Sequence, residues 1–257
     1  MDLLIISLTA LLGSALTLFS GFGLGTLLLP AFALFFPLEL SVALTAVVHF
    51  LNNLFKLVLL GRHADRVTIL KFGLPSLFAS LLGAWLLTRL GNLNTALGFS
   101  ISGYQGQTSY LKLIMGFILL FFALFEIIPS LRRLQLHPRY LTLGGLLSGF
   151  FGGLSGNQGA LRSAFLIKAG LSKEVFIATG VVIACLVDLA RLGVYYPSLS
   201  AQASALPVTL LLAACLSAFV GAFAGSKLIK KVTVKSVQYL VAACLILFSF
   251  LLMVGEI

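Results

Sequence analysis

The sequence predicts an all-α polytopic membrane protein built as two inverted repeats. Each repeat is a glycine-broken re-entrant helical hairpin followed by three transmembrane helices. Three observations carry that reading. The 257 residues are 60% hydrophobic and 9% charged, with a mean hydropathy of +1.13, whereas globular domains carry roughly 25% charged residues. The apolar residues fall into about eight long segments. One segment in each half is interrupted by a short glycine-rich run: Gly21-Phe22-Gly23-Leu24-Gly25 and Gly152-Gly153-Leu154-Ser155-Gly156-Asn157-Gln158-Gly159. A backbone break inside lipid is tolerated only where protein or a watery cavity covers the exposed polar groups. Paired breaks in two halves of a chain point to a transporter's binding site.

In order, the segments run 3–36, 41–60, 69–90, 109–130, 141–168, 175–197, 205–229 and 233–254. The second, third, fourth, sixth, seventh and eighth match the ~20 residues needed to span a bilayer. The first and fifth carry the glycine runs, and the first is too long for one simple span. If every segment crossed once, the loop cations would divide six against eight. If the first and fifth instead enter and leave on one side, Arg62, Arg66, Lys71, Arg132, Arg133, Arg139, Lys168, Lys173, Lys227, Lys230, Lys231 and Lys235 share one face. Only Arg89 and Lys112 then lie on the other. That split obeys the positive-inside bias. It places the loops near 61–71, 131–140, 168–174 and 227–235 in the cytoplasm and both termini outside.

The second half then starts from the opposite side of the membrane. The chain divides into repeats 1–135 and 136–257 within one integral membrane domain. A shift of 134 residues aligns Gly25 with Gly159, Thr45 with Thr179, and Val47-Val48 with Val181-Val182. Further on, Leu74-Pro75 echoes Leu206-Pro207, and Gly83-Ala84 echoes Gly221-Ala222. Tyr110, Tyr140, Tyr195 and Tyr196 are expected near the interfaces, where amphipathic rings are favoured. Cys185, Cys215 and Cys244 lie in apolar stretches and read as buried free thiols. The start, Met1-Asp2-Leu3-Leu4, lacks the positive n-region of a cleavable signal peptide.

Several function classes find no support. The net charge of +10 comes from cations at segment ends, which orient membrane helices and do not form a nucleic-acid patch. No Walker A sequence, dinucleotide fingerprint or metal-ligand spacing is present. No serine or cysteine nucleophile carries a catalytic signature. No cofactor is expected, and the chain is not read as an enzyme.

The run Gly21-Phe22-Gly23-Leu24-Gly25 leading to Pro30, followed by Ala43-Leu44-Thr45-Ala46-Val47-Val48, resembles the first half of the sulfite exporter TauE/SafE family, also called the 4-toluenesulfonate uptake permease family. Gly149-Phe150-Phe151-Gly152-Gly153-Leu154-Ser155-Gly156 is similar to its second glycine-rich segment. The resemblance covers nearly the whole chain. It implies a secondary transporter of small sulfur-containing or organic anions. The chain departs from the pattern at Asn157-Gln158-Gly159-Ala160-Leu161-Arg162, which is more polar than the family's run and lacks the following proline.

Polar residues inside apolar segments need a reason, because a charge deep in a span costs at least about 2.5–3.5 kcal/mol. His49, Asn52, Asn53 and Lys56 fall at i, i+3, i+4 and i+7, on one helical face. One reading has them joining neighbouring helices through hydrogen bonds, with Lys56 snorkelling to the cytoplasmic end. The other has them lining a substrate site. In the fifth segment, the break at Gly156–Gly159 leaves backbone N–H groups at the start of the following half-helix, which favours an anion. Arg162 follows within the first turn, and its planar fork suits an oxyanion. The other reading is a hairpin tip held by amide bonds, with Arg162 paired to an acid. Asp188 and Arg191, at i and i+3, form either a structural pair or a proton-dependent gate. Glu126 is expected at the cytoplasmic interface.

The expected substrate-binding set is therefore Arg162, Asn157, Gln158, Gly159, Asn52, Asn53, His49, Gly23 and Gly25. Asp188, Arg191 and Lys56 are the coupling or gating set. The expected function is alternating-access transport of a small sulfite-, sulfonate- or related anion, coupled to protons or another ion. The partners are that anion and membrane lipid, with a homodimer left open. The expected location is a cell membrane of the bacterial inner-membrane type. The alternatives are a passive anion channel, a membrane-embedded enzyme using His49, Asp188 or Glu126 as acid or base, and a structural partner in a membrane complex.

Overall fold

The computed structural model describes residues 1–17, 23–60, 63–93, 96–101, 104–201, 206–228 and 234–257. The first apolar segment forms two helices, α1 (Asp2–Thr17) and α2 (Leu24–Ala33). Gly21 and Phe22 lie outside the described residues. Gly23 is extended (φ −85°, ψ 140°) and caps α2, whereas Gly25 is already helical. The expected non-helical stretch 21–25 is thus narrower on its C-terminal side. Next come α3 (Leu38–Leu60), α4 (Arg66–Thr68), a π turn (Ile69–Gly73) and α5 (Leu74–Gly91), the last three forming one continuous rod. The half closes with α6 (Tyr110–Ile127).

After the short α7 (Pro129–Arg132) and a 3₁₀ turn (Pro138–Tyr140), the second half follows the same order. It comprises the half-helices α8 (Leu141–Ser155) and α9 (Gly159–Leu166), then α10 (Lys173–Ala201), α11 (Val208–Leu228) and α12 (Val234–Val254). Among the described residues, five helices are long and apolar enough to cross a membrane: Leu38–Val58, Arg66–Gly91, Tyr110–Ile127, Lys173–Ala201 and Val208–Gly225. Shorter apolar helices cover Asp2–Leu16, Leu24–Ala33 and Tyr239–Val254. The chain is a multi-pass membrane protein. Leu12, Phe78, Trp85, Phe117, Leu189 and Phe250 project outward from these helices, as lipid-facing side chains do.

One element departs from an all-α fold. β1 (Ala96–Ile101) and β2 (Tyr104–Ser109) pair antiparallel, Ala96 opposite Ser109 and Ile101 opposite Tyr104. The alternation of Leu97, Phe99 and Ile101 with Gly98 and Ser100 has the period of a strand. The Phe99 ring covers Gly106 directly opposite.

Each broken segment folds back on itself. The N–H of Leu136, just before α8, donates to the carbonyl of Ala164 near the end of α9 (3.0 Å). Gly144 at the start of α8 leaves room for the Phe165 ring near the end of α9. In the first half, Gly13 of α1 sits against Leu24 and Leu27 of α2.

The half-helices then pack reciprocally: α8 lies on α5, and α1 lies on α11. Both contacts are backbone-close. A Cβ at Gly145, Gly149 or Gly153 would run into the carbonyls of Phe72, Ser76 and Ser80, and one at Gly83 into that of Phe150. In the other half, Gly221 and Gly225 face the carbonyls of Leu11 and Ala15 in the same way. Small residues take this role in membranes because lipid offers no hydrophobic drive and contact must come from close packing. α3 crosses α10 at the centre, and α6 packs on α12.

Two further expectations change. Cys185 and Cys215 are buried, but Cys244 is exposed on the outer face of α12. Tyr195 is buried, unlike the exposed Tyr110, Tyr140 and Tyr196. Glu126 is buried on the last turn of α6.

Outside the spans, Asp65 caps α4, its Oδ2 accepting from the Thr68 N–H at 2.6 Å. Its own N–H donates to Thr179 Oγ1 (2.9 Å) on α10. Hydrogen bonding from Thr68 holds this carboxyl below the usual carboxylate range. Such a group stabilises the fold above its unfolded pKa, and the contribution is lost as pH falls through the folded value. Asp65→Ala should therefore lower stability by about 1 kcal/mol at most at neutral pH. In thermal-unfolding scans the gap to the parent should shrink as the pH drops below the carboxylate range.

Candidate functional site

The two breaks meet. α8 ends at Ser155, and Gly156 turns the chain with φ +79°, a left-handed conformation that glycine adopts without penalty. Asn157 and Gln158 follow as non-helical residues, and α9 begins at Gly159. The helix ends thus take in Ser155 and Gly159, leaving 156–158 as the break. A Cβ at Gly25 would lie 3.7 Å from the Gly156 carbonyl oxygen, so α2 abuts this turn directly. The middles of α3 and α10 close the other sides.

On α10, Asp188 is the hub. Its Oδ1 accepts from Arg191 Nε (3.0 Å) and Nη2 (2.7 Å). Its Oδ2 lies 2.6 Å from His49 Nδ1 and accepts from Asn53 Nδ2 (3.2 Å). Asp188 and Arg191 are fully buried. The i, i+3 pair expected from the sequence is formed, and α3 joins it through His49 and Asn53. The remaining guanidinium nitrogen, Arg191 Nη1, has no hydrogen-bond partner among the described residues. It faces Gly156, where a Cβ would stand 2.9 Å away.

Other polar atoms in the same region are also without partners. They are both amide atoms of Gln158, Asn157 Oδ1, Thr45 Oγ1 and Arg162 Nη1. Gln158 and Asn157 are buried. Buried polar atoms are nearly always paired with protein or ordered water, so these atoms keep capacity to meet a ligand or solvent. The donors are two guanidinium edges and an amide, with the first-turn N–H groups of α9 still ahead of any intrahelical bond. This set favours an oxyanion.

The chain is matched over residues 6–252 by the family model described as Sulfite exporter TauE/SafE. It belongs to the TauE/SafE family. Comparison with curated proteins and with solved structures found no match. This TauE/SafE chain therefore belongs to a family of membrane transporters.

The four-residue polar stripe of α3 does not act as one group. All four side chains are buried. His49 and Asn53 turn to Asp188, Asn52 turns to α1 and α11, and Lys56 turns back to Asn52. With its amide oriented to suit its neighbours, Asn52 accepts from Lys56 Nζ (3.1 Å) and donates to Ser14 Oγ or the Ala218 carbonyl (each 3.2 Å). The four positions span an arc of roughly 100°, wide enough to touch two neighbours. Lys56 reaches back along its own helix to Asn52 and does not snorkel.

Arg162 lies on the first turn of α9, its backbone N–H donating to the Gln158 carbonyl (3.0 Å). Its guanidinium runs past Gly180 of α10, with Nε 3.5 Å from where a Cβ would be. It forms no ion pair with an acid among the described residues. Lys56 and Cys185 are within its electrostatic range, as is Asp188.

Gly23 lies 3.5 Å from His49 Nε2, measured from its would-be Cβ. Glu126, on α6, adds nothing to the hydrogen-bond set of Asp188 described above.

The sequence reading missed Thr45, Ser14 and Tyr195 as parts of this region. Tyr195 stands one turn beyond Arg191 and its hydroxyl donates to the Gly153 carbonyl. It also lines a crevice of about 220 Å³ between α3, α5 and α10, whose walls include Glu39, Ala43, Leu87, Thr88 and Ser198. Its i+4 spacing from Arg191 was the signal that could have linked it to the site.

Proposed function

We propose that this chain is a secondary carrier of small organic or sulfur-containing anions, such as sulfite, a sulfonate or a related oxyanion. Two inverted halves rock around a site between the helix breaks, driven by a proton or ion gradient, in a membrane of the bacterial inner-membrane type. The observation that carries this reading is the juncture at Gly156. There two backbone breaks, the Arg191 guanidinium edge and an unpartnered amide converge in the interior of a transporter-family fold.

The reciprocal packing of α8 on α5 and α1 on α11 supports the division into repeats 1–135 and 136–257. It relates each broken segment to the second long helix after the break in the other half. Reporters fused after residues 135 and 230 should be cytoplasmic, and one at the C-terminus external. A cytoplasmic C-terminus would break the inverted-repeat topology.

Binding is tested by thermal shift of the purified protein with sulfite, thiosulfate, sulfoacetate, taurine, carboxylates and sulfate, since a ligand stabilises the state it binds by mass action. Charge-assisted hydrogen bonds are worth roughly 1.5–3 kcal/mol each. Arg162→Ala should therefore weaken anion binding about tenfold or more while remaining monodisperse. Arg162→Lys should recover only part, because a point charge replaces a planar fork. Wild-type affinity in Arg162→Ala would remove Arg162 from the site.

A further inference from the structure

His49 stands between the two breaks. Its Nδ1 meets Asp188 at 2.6 Å, and its opposite edge faces the first break. Would-be Cβ atoms at Gly23 and Gly25 lie 3.5 Å from Nε2 and 3.9 Å from Cδ2. On the far side of Asp188, the free nitrogen of Arg191 faces Gly156. One carboxylate thus separates an imidazole from the guanidinium edge that an incoming anion would meet. We propose that His49 takes up a proton together with the substrate anion, so that the two are loaded and released as a pair.

This rests on the carrier reading above, and the argument is one of charge. Whatever Asp188, Arg191 and Lys56 sum to, a monoanion at Arg191 Nη1 changes the charge of the cluster by −1 and a proton on His49 changes it by +1. Both together leave it unchanged. An uncompensated charge in a dry interior is costly, so each load favours the other, and the coupling is reciprocal.

Asp188 is not the proton's destination. Its two oxygens already receive Arg191 Nε and Nη2, Asn53 and His49. With Nδ1–H donating to Asp188, the added proton goes to Nε2, on the side of the first break. The groups facing His49 are Asp188 and Arg191 from α10, Asn53 and the charged Lys56 from α3, and the neutral Gly23 and Gly25 backbone from the α2 side.

The test uses the full-length protein in detergent with methanesulfonate, which keeps its single charge across the range, as the probe. Wild-type affinity, from thermal shift, should rise up to about tenfold for each unit the pH falls between about 8 and 6, while His49 is neutral in the free protein. Addition of the probe to weakly buffered protein should take up close to one proton, read with a pH dye. His49→Asn keeps an N–H toward Asp188 but cannot take a second proton. It should bind with little pH dependence and without proton uptake.

Binding without proton uptake, or an unchanged pH profile in His49→Asn, would overturn the proposal and leave the carrier reading intact. Should His49→Asn fail to fold, the proton uptake of the wild type decides alone. If no anion stabilises the protein at any pH, the binding site itself is refuted and the proposal with it.

Discussion

Replacing Gly149 by leucine should leave almost no folded protein. Its Cβ would run into the backbone of Ser76, and no rotamer change can move a backbone carbonyl aside. α5 and α8 would have to separate along a ridge where Gly145 and Gly153 make equally close contacts with Phe72 and Ser80. Overpacking a well-filled core costs about 1–3 kcal/mol. A clash of backbone against backbone belongs at or beyond the upper end, roughly a hundredfold in the folded fraction. The monodisperse peak in size-exclusion chromatography reports it. Gly193→Leu is the control, since a Cβ there meets nothing within 4 Å. Equal yields of the two variants would mean that α5 and α8 do not meet along this ridge.

Asp188→Ala should be nearly as damaging, for an electrostatic reason. It leaves Arg191 buried without its acid, and breaking a buried pair by removing one partner costs about 3–5 kcal/mol. Asp188→Asn keeps the volume and one acceptor and should lose less. The double variant Asp188→Ala/Arg191→Met should regain much of the folded yield, because it removes the stranded charge. It should still fail to bind anions, having lost the guanidinium edge at Gly156. A folded, stable Asp188→Ala single variant would show that Arg191 finds another counter-charge. A double variant no better than the single one would show that the lost hydrogen bonds to His49 and Asn53, and not the stranded charge of Arg191, do the damage.

Much of the architecture could be read from one dimension because it depends on local composition. An apolar segment of sufficient length forms a helix in lipid whatever surrounds it, since its backbone has no other partner. The positions of α3, α5, α6, α10, α11 and α12 follow from that rule. Gly156 interrupts its helix through its own backbone freedom, at φ +79°, and both glycine runs were visible in the sequence as well. The hairpin at 96–109 was missed because a short alternating stretch between two strong apolar segments reads as a loop.

The chain alone established a helical membrane protein of a transporter family, with two breaks and a stock of intramembrane amides and cations. Only the tertiary structure decided how that stock is shared out. Asp188 was paired with Arg191 by spacing, but its second oxygen went to His49 and Asn53, 139 and 135 residues away. Asn52, on the same stripe as His49, was drawn off toward Ser14 and Ala218, and Lys56 toward Asn52. Tyr195 became an interior residue because Gly153 offered its carbonyl. Helical periodicity determines which residues share a face, but a face is wider than one neighbour. Which partner each side chain meets depends on how closely the helices approach, and that is set by the glycines packed against backbone on α8 and α11.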